Sequence, residues 1–141
     1  MKKKISPKGF TLVELLIAIS ILVILMGVGL VSLRGSQAVA RDAHRKAELG
    51  EIRSALELYR SDNDAYVVGT DYAETVLDPL TVDGYLESIP LDPRHSVYRY
   101  RYSSDGLIYV LCAYLETGGE PADWCGGDCG DEPCNYRVEN P

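Results

Sequence analysis

The chain has 141 residues, a net charge of −7 and a mean hydropathy near zero. That length admits one modest domain with an appendage, and the acidic balance argues against a protein that binds nucleic acid or an anionic membrane over its whole surface. Residues 1–60 carry ten Lys/Arg against five Asp/Glu, and residues 61–141 four against sixteen, a division that excludes a uniform globule, a low-complexity chain and a multi-pass membrane protein.

The chain opens with Lys2, Lys3, Lys4 and Lys8 and no acid, then runs apolar over 10–33 with Glu14 as its one charge. As a helix this run extends about 36 Å at ~1.5 Å per residue, enough for a hydrocarbon core of roughly 30 Å. The lysines place the N-terminus in the cytoplasm and the remainder outside. A secretory signal would be cut after the run, at small residues; here the run meets Arg34-Gly35-Ser36-Gln37, and the small residue, Gly9, stands before it. Glu14 is costly inside an apolar helix and therefore calls for a functional partner.

The stretch Lys8-Gly9-Phe10-Thr11-Leu12-Val13-Glu14-Leu15-Leu16-Ile17-Ala18 resembles the type IV prepilin leader, shared by type IV pilins and type II secretion pseudopilins. The resemblance implies cleavage between Gly9 and Phe10 by a prepilin peptidase and N-methylation of Phe10. It also implies an assembly role for Glu14, whose carboxylate neutralises the N-terminal amine of a neighbouring subunit. The physics is consistent, because an acid and an amine buried together partly cancel charges that are costly alone. An uncleaved anchor with a chance Gly-Phe and a stray Glu is the competing reading. Loss of the leader would carry the side-chain charge from −7 to −11, since four lysines leave with it.

Helical periodicity continues beyond the apolar run. Val39, Ala43, Ile52, Leu56 and Tyr59 are expected on one face, with Arg41, Asp42, Arg45, Lys46 and Glu48 among the charged residues on the rest and Asp42 supporting Lys46 at i,i+4. No proline falls between Pro7 and Pro79, so one helix is expected from about Phe10 to Ser61, ended by Asp62-Asn63-Asp64. Gly27, Gly29, Gly35 and Gly50 are its weak points, read either as sites of local melting in a filament or as close helix packing. The Asp-x-Asp at 62–64 lacks the glycine and distal glutamate of an EF-hand loop and reads as a solvated helix end.

A short helix is expected at 72–77, stopped near Asp78-Pro79, and an extended connector at 86–93. The helix end with its Asp/Asn turn, together with Tyr85-Leu86…Ile89-Pro90…Asp92-Pro93, resembles the major pseudopilin. The period then changes to two. Val97-Tyr98-Arg99-Tyr100-Arg101-Tyr102 and 107–115 flank an Asp105-Gly106 turn, a β-hairpin whose one face covers the amphipathic helix. The tyrosine stripe with Arg99 and Arg101 opposite is read as a half-buried strand, and no nucleic acid is expected on so acidic a head.

Cys112, Cys125, Cys129 and Cys134 form an even set in a domain expected outside the cytoplasm, so two disulfides are expected in one of three pairings, each tying Cys112 into the later cluster. A Cys₄ zinc site is the rival, but the spacing lacks paired C-x₂-C knuckles. Glu116, Glu120, Asp123, Asp128 and Asp131 match the calcium-binding C-terminal loop of major pseudopilins by position only. A solvated acidic loop is preferred, and no other cofactor is expected. No nucleotide, metalloprotease or hydrolase motif occurs, and His44 and His95 stand outside any catalytic pattern, so the protein is expected not to be an enzyme.

The expected fold is α+β, a long N-terminal helix packed on a small antiparallel sheet head, in the lollipop form that the resemblance implies. Its parts are a leader (1–9), a membrane and filament-core helix (10–33), its amphipathic continuation (34–62), an αβ connector (63–96), a β-hairpin (97–115) and a cysteine-rich acidic loop (116–141). The function expected is that of a structural subunit of a type IV pilus-like filament, with a type II secretion pseudopilin as the alternative. Its partners would be other pilin subunits, and it would sit in the cytoplasmic membrane before assembly. A monomeric, membrane-anchored binding module is the reading from a different class.

Overall fold

The computed structural model describes residues 9–119 and 124–141, and at 28–32 and 34 it describes the backbone alone. The first element, α1, is the helix Leu12–Asn63. Its start is a capping box. Thr11 Oγ1 accepts from Glu14 N–H at 3.2 Å while Thr11 N–H donates to Glu14 Oε2 at 2.9 Å, satisfying two N–H groups that a helix start otherwise leaves open. The helix passes through Gly27, Gly29, Gly35 and Gly50 without a break. It ends where Asp64 adopts a φ of 60°.

The chain forms two compact units, Met1–Gln37 and Ala38–Pro141. In the second, Gly69–Tyr72 forms β1, Ala73–Val76 α2, Asp78–Val82 α3, Arg101–Ser104 β2, Tyr109–Ala113 β3 and Tyr136–Glu139 β4. The four strands lie in the order β1-β2-β3-β4, and all three pairings are antiparallel. This is the expected α+β, pilin-like architecture, a long N-terminal helix packed on a small antiparallel sheet.

Four details differ from the sequence reading. The connector holds a strand, β1, although Gly69 and Asp71 are poor strand formers; its register with β2, Tyr72 opposite Arg101 and Gly69 opposite Ser104, supplies what propensity lacks. The break at 78–79 begins α3 instead of ending structure, because a proline is tolerated in a helix's first turn. The 116–141 segment is not wholly a loop, since its last part pairs with β3 as β4, Val138 opposite Leu111. The hairpin strands are shorter than expected, and Tyr98 makes an isolated bridge to Gly130.

The core face of α1 is also shifted. Val39 is 58% exposed and Ala43 is exposed, whereas Asp42, Arg45, Leu49, Ile52, Ala55 and Leu56 are buried. Leu49, Ile52 and Leu56 pack with Tyr66, Leu77, Leu80, Tyr100, Tyr102, Tyr109 and Leu111 in one core. Each buried Tyr hydroxyl of the sheet finds an acceptor: Tyr102 donates to Val67 O at 2.7 Å, Tyr109 reaches Glu57 at 3.4 Å, and Tyr100 donates to Glu48. A second, smaller core of Cys112, Cys125, Cys129 and Cys134 packs with Val110 and Tyr114. Alternation along β3 divides the two cores, with Tyr109, Leu111 and Ala113 in the first and Val110 and Cys112 in the second.

Candidate assembly site

Phe10 is 90% exposed, and the apolar side chains that follow stay in the open: Leu12, Val13, Leu15, Leu16, Ile17, Ile19, Ile21, Leu22, Val23, Ile24, Leu25 and Met26 are each at least half exposed. A helix apolar all round has no solvent-facing side, so it requires lipid or other apolar helices around it. Among the described residues no helix is long and apolar enough to cross a membrane. The run expected to do so, 10–33, includes positions whose side chains lie outside that description.

Gly9 and Phe10 stand together before the helix, both exposed. Glu14 projects from the first turn with Oε2 shared by Thr11 N–H and, at 2.8 Å, Thr11 Oγ1–H. The Thr11-x-x-Glu14 spacing is itself a capping signature readable in the sequence. Lys2, Lys3, Lys4 and Lys8 lie outside the described residues.

Both disulfides form, Cys112–Cys125 and Cys129–Cys134, and among the described residues no cysteine is free. The first ties the strand β3 to the tail, and the second closes a short ring inside it. Of the calcium candidates, Glu120 and Asp123 lie outside the described residues. Glu116 does not face a cation site, because its carboxylate meets Arg41 Nη2 at 2.6 Å, Arg45 Nη2 at 2.9 Å and Arg94 Nη1 at 3.4 Å. Asp128 and Asp131 belong to no metal-holding cluster among the described residues.

Sequence reasoning placed Asp42 and Arg45 among the solvated charges, and the structure buries both. Arg45, fully buried, directs Nε to Asp92 Oδ2 at 2.7 Å and Nη1 to Asp42 Oδ1 at 2.7 Å, besides Glu116. The Tyr98 ring lies 5.4 Å from the Arg45 guanidinium and 5.2 Å from that of Arg94, within cation–π range. Asp42 accepts in turn from Glu116 N–H, Thr117 N–H and Thr117 Oγ1–H, at 2.9, 2.9 and 2.6 Å. One arginine thus gathers α1, the 92–94 segment and the chain after β3, and among the described residues no buried side-chain polar atom lacks a partner.

Burial opposes the charge on Arg45, but its hydrogen bonds to Asp92, Asp42 and Glu116 hold its pKa above the ordinary value. Hydrogen bonding from Arg41, working against burial and joined by Arg45, lowers Glu116 to about 2. Burial would raise Asp42, and the Thr117 hydroxyl and the two loop N–H groups reverse it. Charged groups dominate here because removing one partner leaves another charge buried and unpaired.

Residues 6–30 match the prokaryotic N-terminal methylation motif. A core protein G of the type II secretion system from Vibrio cholerae is 28% identical over 151 residues, covering 99% of each chain. That of Pseudomonas aeruginosa is 30% identical over 101 residues, covering 65% of this chain and 71% of its own. The chain belongs to the type II secretion core protein G family. Another relative in the family, from Escherichia coli, is 24% identical over 102 residues, covering 66% of this chain and 70% of its own. No solved structure matches.

Membership in the core protein G family, with the methylation motif, makes this a pilin-like subunit, anchored in a membrane or built into a filament, that polymerises with other pilin-like subunits. The relatives favour the pseudopilin alternative over the surface pilus that sequence reading had put first.

Proposed function

We propose that this protein is a structural subunit of a type II secretion pseudopilus. The observation that carries the reading is the alignment with the Vibrio cholerae core protein G, which runs through 99% of both chains and so takes in head and tail as well as leader. A prepilin peptidase cleaves between Gly9 and Phe10, and Phe10 is N-methylated. The apolar half of α1 anchors the subunit in the membrane with its head outside, and then packs among the helices of the filament. Glu14 pairs with the N-terminal amine of a neighbouring subunit; the Thr11 hydrogen bonds orient its carboxylate until then. The head does no catalysis. It needs no resident cation either, because the Arg45 cluster and two disulfides hold its loops.

Mass spectrometry of the purified protein tests the processing. A chain beginning with N-methyl-Phe10 is expected, and one beginning at Met1 overturns the reading. Glu14→Ala tests assembly, since membrane insertion should persist while incorporation into filaments beside wild-type subunits fails. Deleting the gene separates the two filament classes. Loss of protein secretion with motility and adhesion retained supports the pseudopilus; the reverse supports a surface pilus, the reading that the disulfide-tied tail keeps second.

A further inference from the structure

The two ends of the head carry exposed surfaces of different character. At the end where α1 stops, Val68, Leu107 and Ile108 are 67%, 72% and 58% exposed. They lie together: Tyr66 N–H donates to Gly106 O at 2.9 Å, and Val68 Cγ2 sits 3.2 Å from where a side chain on Gly106 would begin. Asp105 Oδ1 accepts from Leu107 N–H and Ile108 N–H, at 2.9 and 3.0 Å, and shapes the turn into a fixed knob. The exposed charges beside it are mostly acidic, Asp62, Asp64 and Asp105, while the Arg60 guanidinium lies over the Tyr66 ring at 4.8 Å.

The other end of the head holds an open, largely apolar depression of about 270 Å³, lined by Ala40, Arg41, His44 and Pro93. Its rim presents cations outward, with Arg41 and Arg94 reaching inward to Glu116 and His44 Nδ1 3.2 Å from Glu48, an arrangement set by the Arg45 cluster. The acids of that cluster point inward, Asp42 and Asp92 being buried and Glu116 nearly so, while the side chains of Arg41, Arg94 and His44 are 30%, 44% and 65% exposed. An acidic apolar knob and a basic apolar depression are complementary in both charge and polarity. They cannot meet within one head, since α1 rises about 33 Å between Arg41 and Asn63 at ~1.5 Å per residue. Between two copies they make a heterologous contact, which builds an open helical filament when its rotation does not close into a ring.

We propose that the heads of the polymer join end to end, the β2–β3 turn of one copy, with Asp105, Leu107 and Ile108, seating in the depression at Ala40, Arg41, His44 and Pro93 of the next. This rests on the filament reading above and adds to it an axial offset of about 33 Å between the copies in contact. The occupant is a second copy of this chain, because both halves of the contact are present on it.

Disulfide trapping in intact filaments of the full chain tests the contact. Leu107→Cys and Ala40→Cys both fall at exposed positions, away from the buried native disulfides. The double variant should give a ladder of covalent multimers on oxidation, and neither single variant should. A control pairing Ala40→Cys with Val82→Cys, at an equally open site, should give no ladder. Filaments of normal yield without the 107–40 ladder overturn the proposal, as does capture of a different pilin-like subunit by Cys at 107. Absence of filaments from the wild-type chain overturns the polymer reading beneath it.

Discussion

Arg45 is the residue on which the head's polar interior turns. Replacing it with alanine leaves Asp42 and Asp92 buried without their cation, a loss of about 3–5 kcal/mol by the measure of other broken buried pairs. Thermal unfolding followed by circular dichroism should show a clear fall in Tm, whereas Glu51→Ala, at an exposed site, should leave it within error. Glu116 contributes a pH dependence, as does Asp42. The folded pKa of Glu116, about 2, lies below its ordinary value of 4.5. Its contribution is therefore complete above the ordinary value and is lost as pH falls through the folded one. Stability of the wild type should decline from about pH 5 toward pH 2, and Glu116→Gln should flatten that decline while lowering stability at pH 7. Little of this was legible in the sequence. Arg45 and Asp92 are 47 positions apart, and no periodic pattern joins them. Asp42 looked like an i,i+4 partner for Lys46, but tertiary contacts turned it inward to Arg45 and Thr117. The motif that holds Gly9, Phe10 and Glu14 was readable because its residues lie in one short run, matched over 6–30.

Among the elements, α1 was legible from its period and its lack of proline, and the β2–β3 hairpin from its period and the Asp105-Gly106 turn, though not the buried face of α1 or the strand ends. The strands β1 and β4 were not. Each is four residues long and each is held by register against a neighbour, which no local pattern encodes. The covalent ties behave as elements in the same sense. Opening Cys112–Cys125, with its separation of 13, should cost about 3 kcal/mol, and opening Cys129–Cys134, with a separation of 5, about 2 kcal/mol by chain-entropy arithmetic. Serine pairs at each bridge, compared by denaturant midpoint, should keep that order. Gly130 is a further fixed point of the tail. Its φ is 103°, and a side chain there would begin 2.1 Å from Val97 O, so Gly130→Ala should lower Tm by breaking the approach that brings Arg99 N–H to Cys129 O at 2.9 Å.

At the scale of the whole molecule, the two units make different demands. Among the described residues the unit Ala38–Pro141 buries its own core and satisfies its buried side-chain polar groups, whereas the apolar side chains of α1 up to Met26 stand exposed. Detergent is therefore expected to be needed for solubility of the full chain yet to leave the head's Tm unchanged. A chelator should leave that Tm unchanged too, because arginines occupy the Glu116 carboxylate where a cation would otherwise bind. A fall in Tm with EDTA, restored by calcium, would sink the cation-free account of the head.

The late position of β4 imposes an order on the making of this protein. Tyr136–Glu139 closes the sheet against β3, and the partners of Cys112 and Cys129 also come later in the chain. In the proposed orientation the N-terminus stays behind and the segment after α1 crosses toward its C-terminus, so α1 can be seated while the head is still an unfinished sheet with an open edge. The head can complete itself only after residue 139 has crossed. On that proposed route maturation is timed by the arrival of the C-terminal strand, and an oxidant must act on the head to close Cys112–Cys125 and Cys129–Cys134.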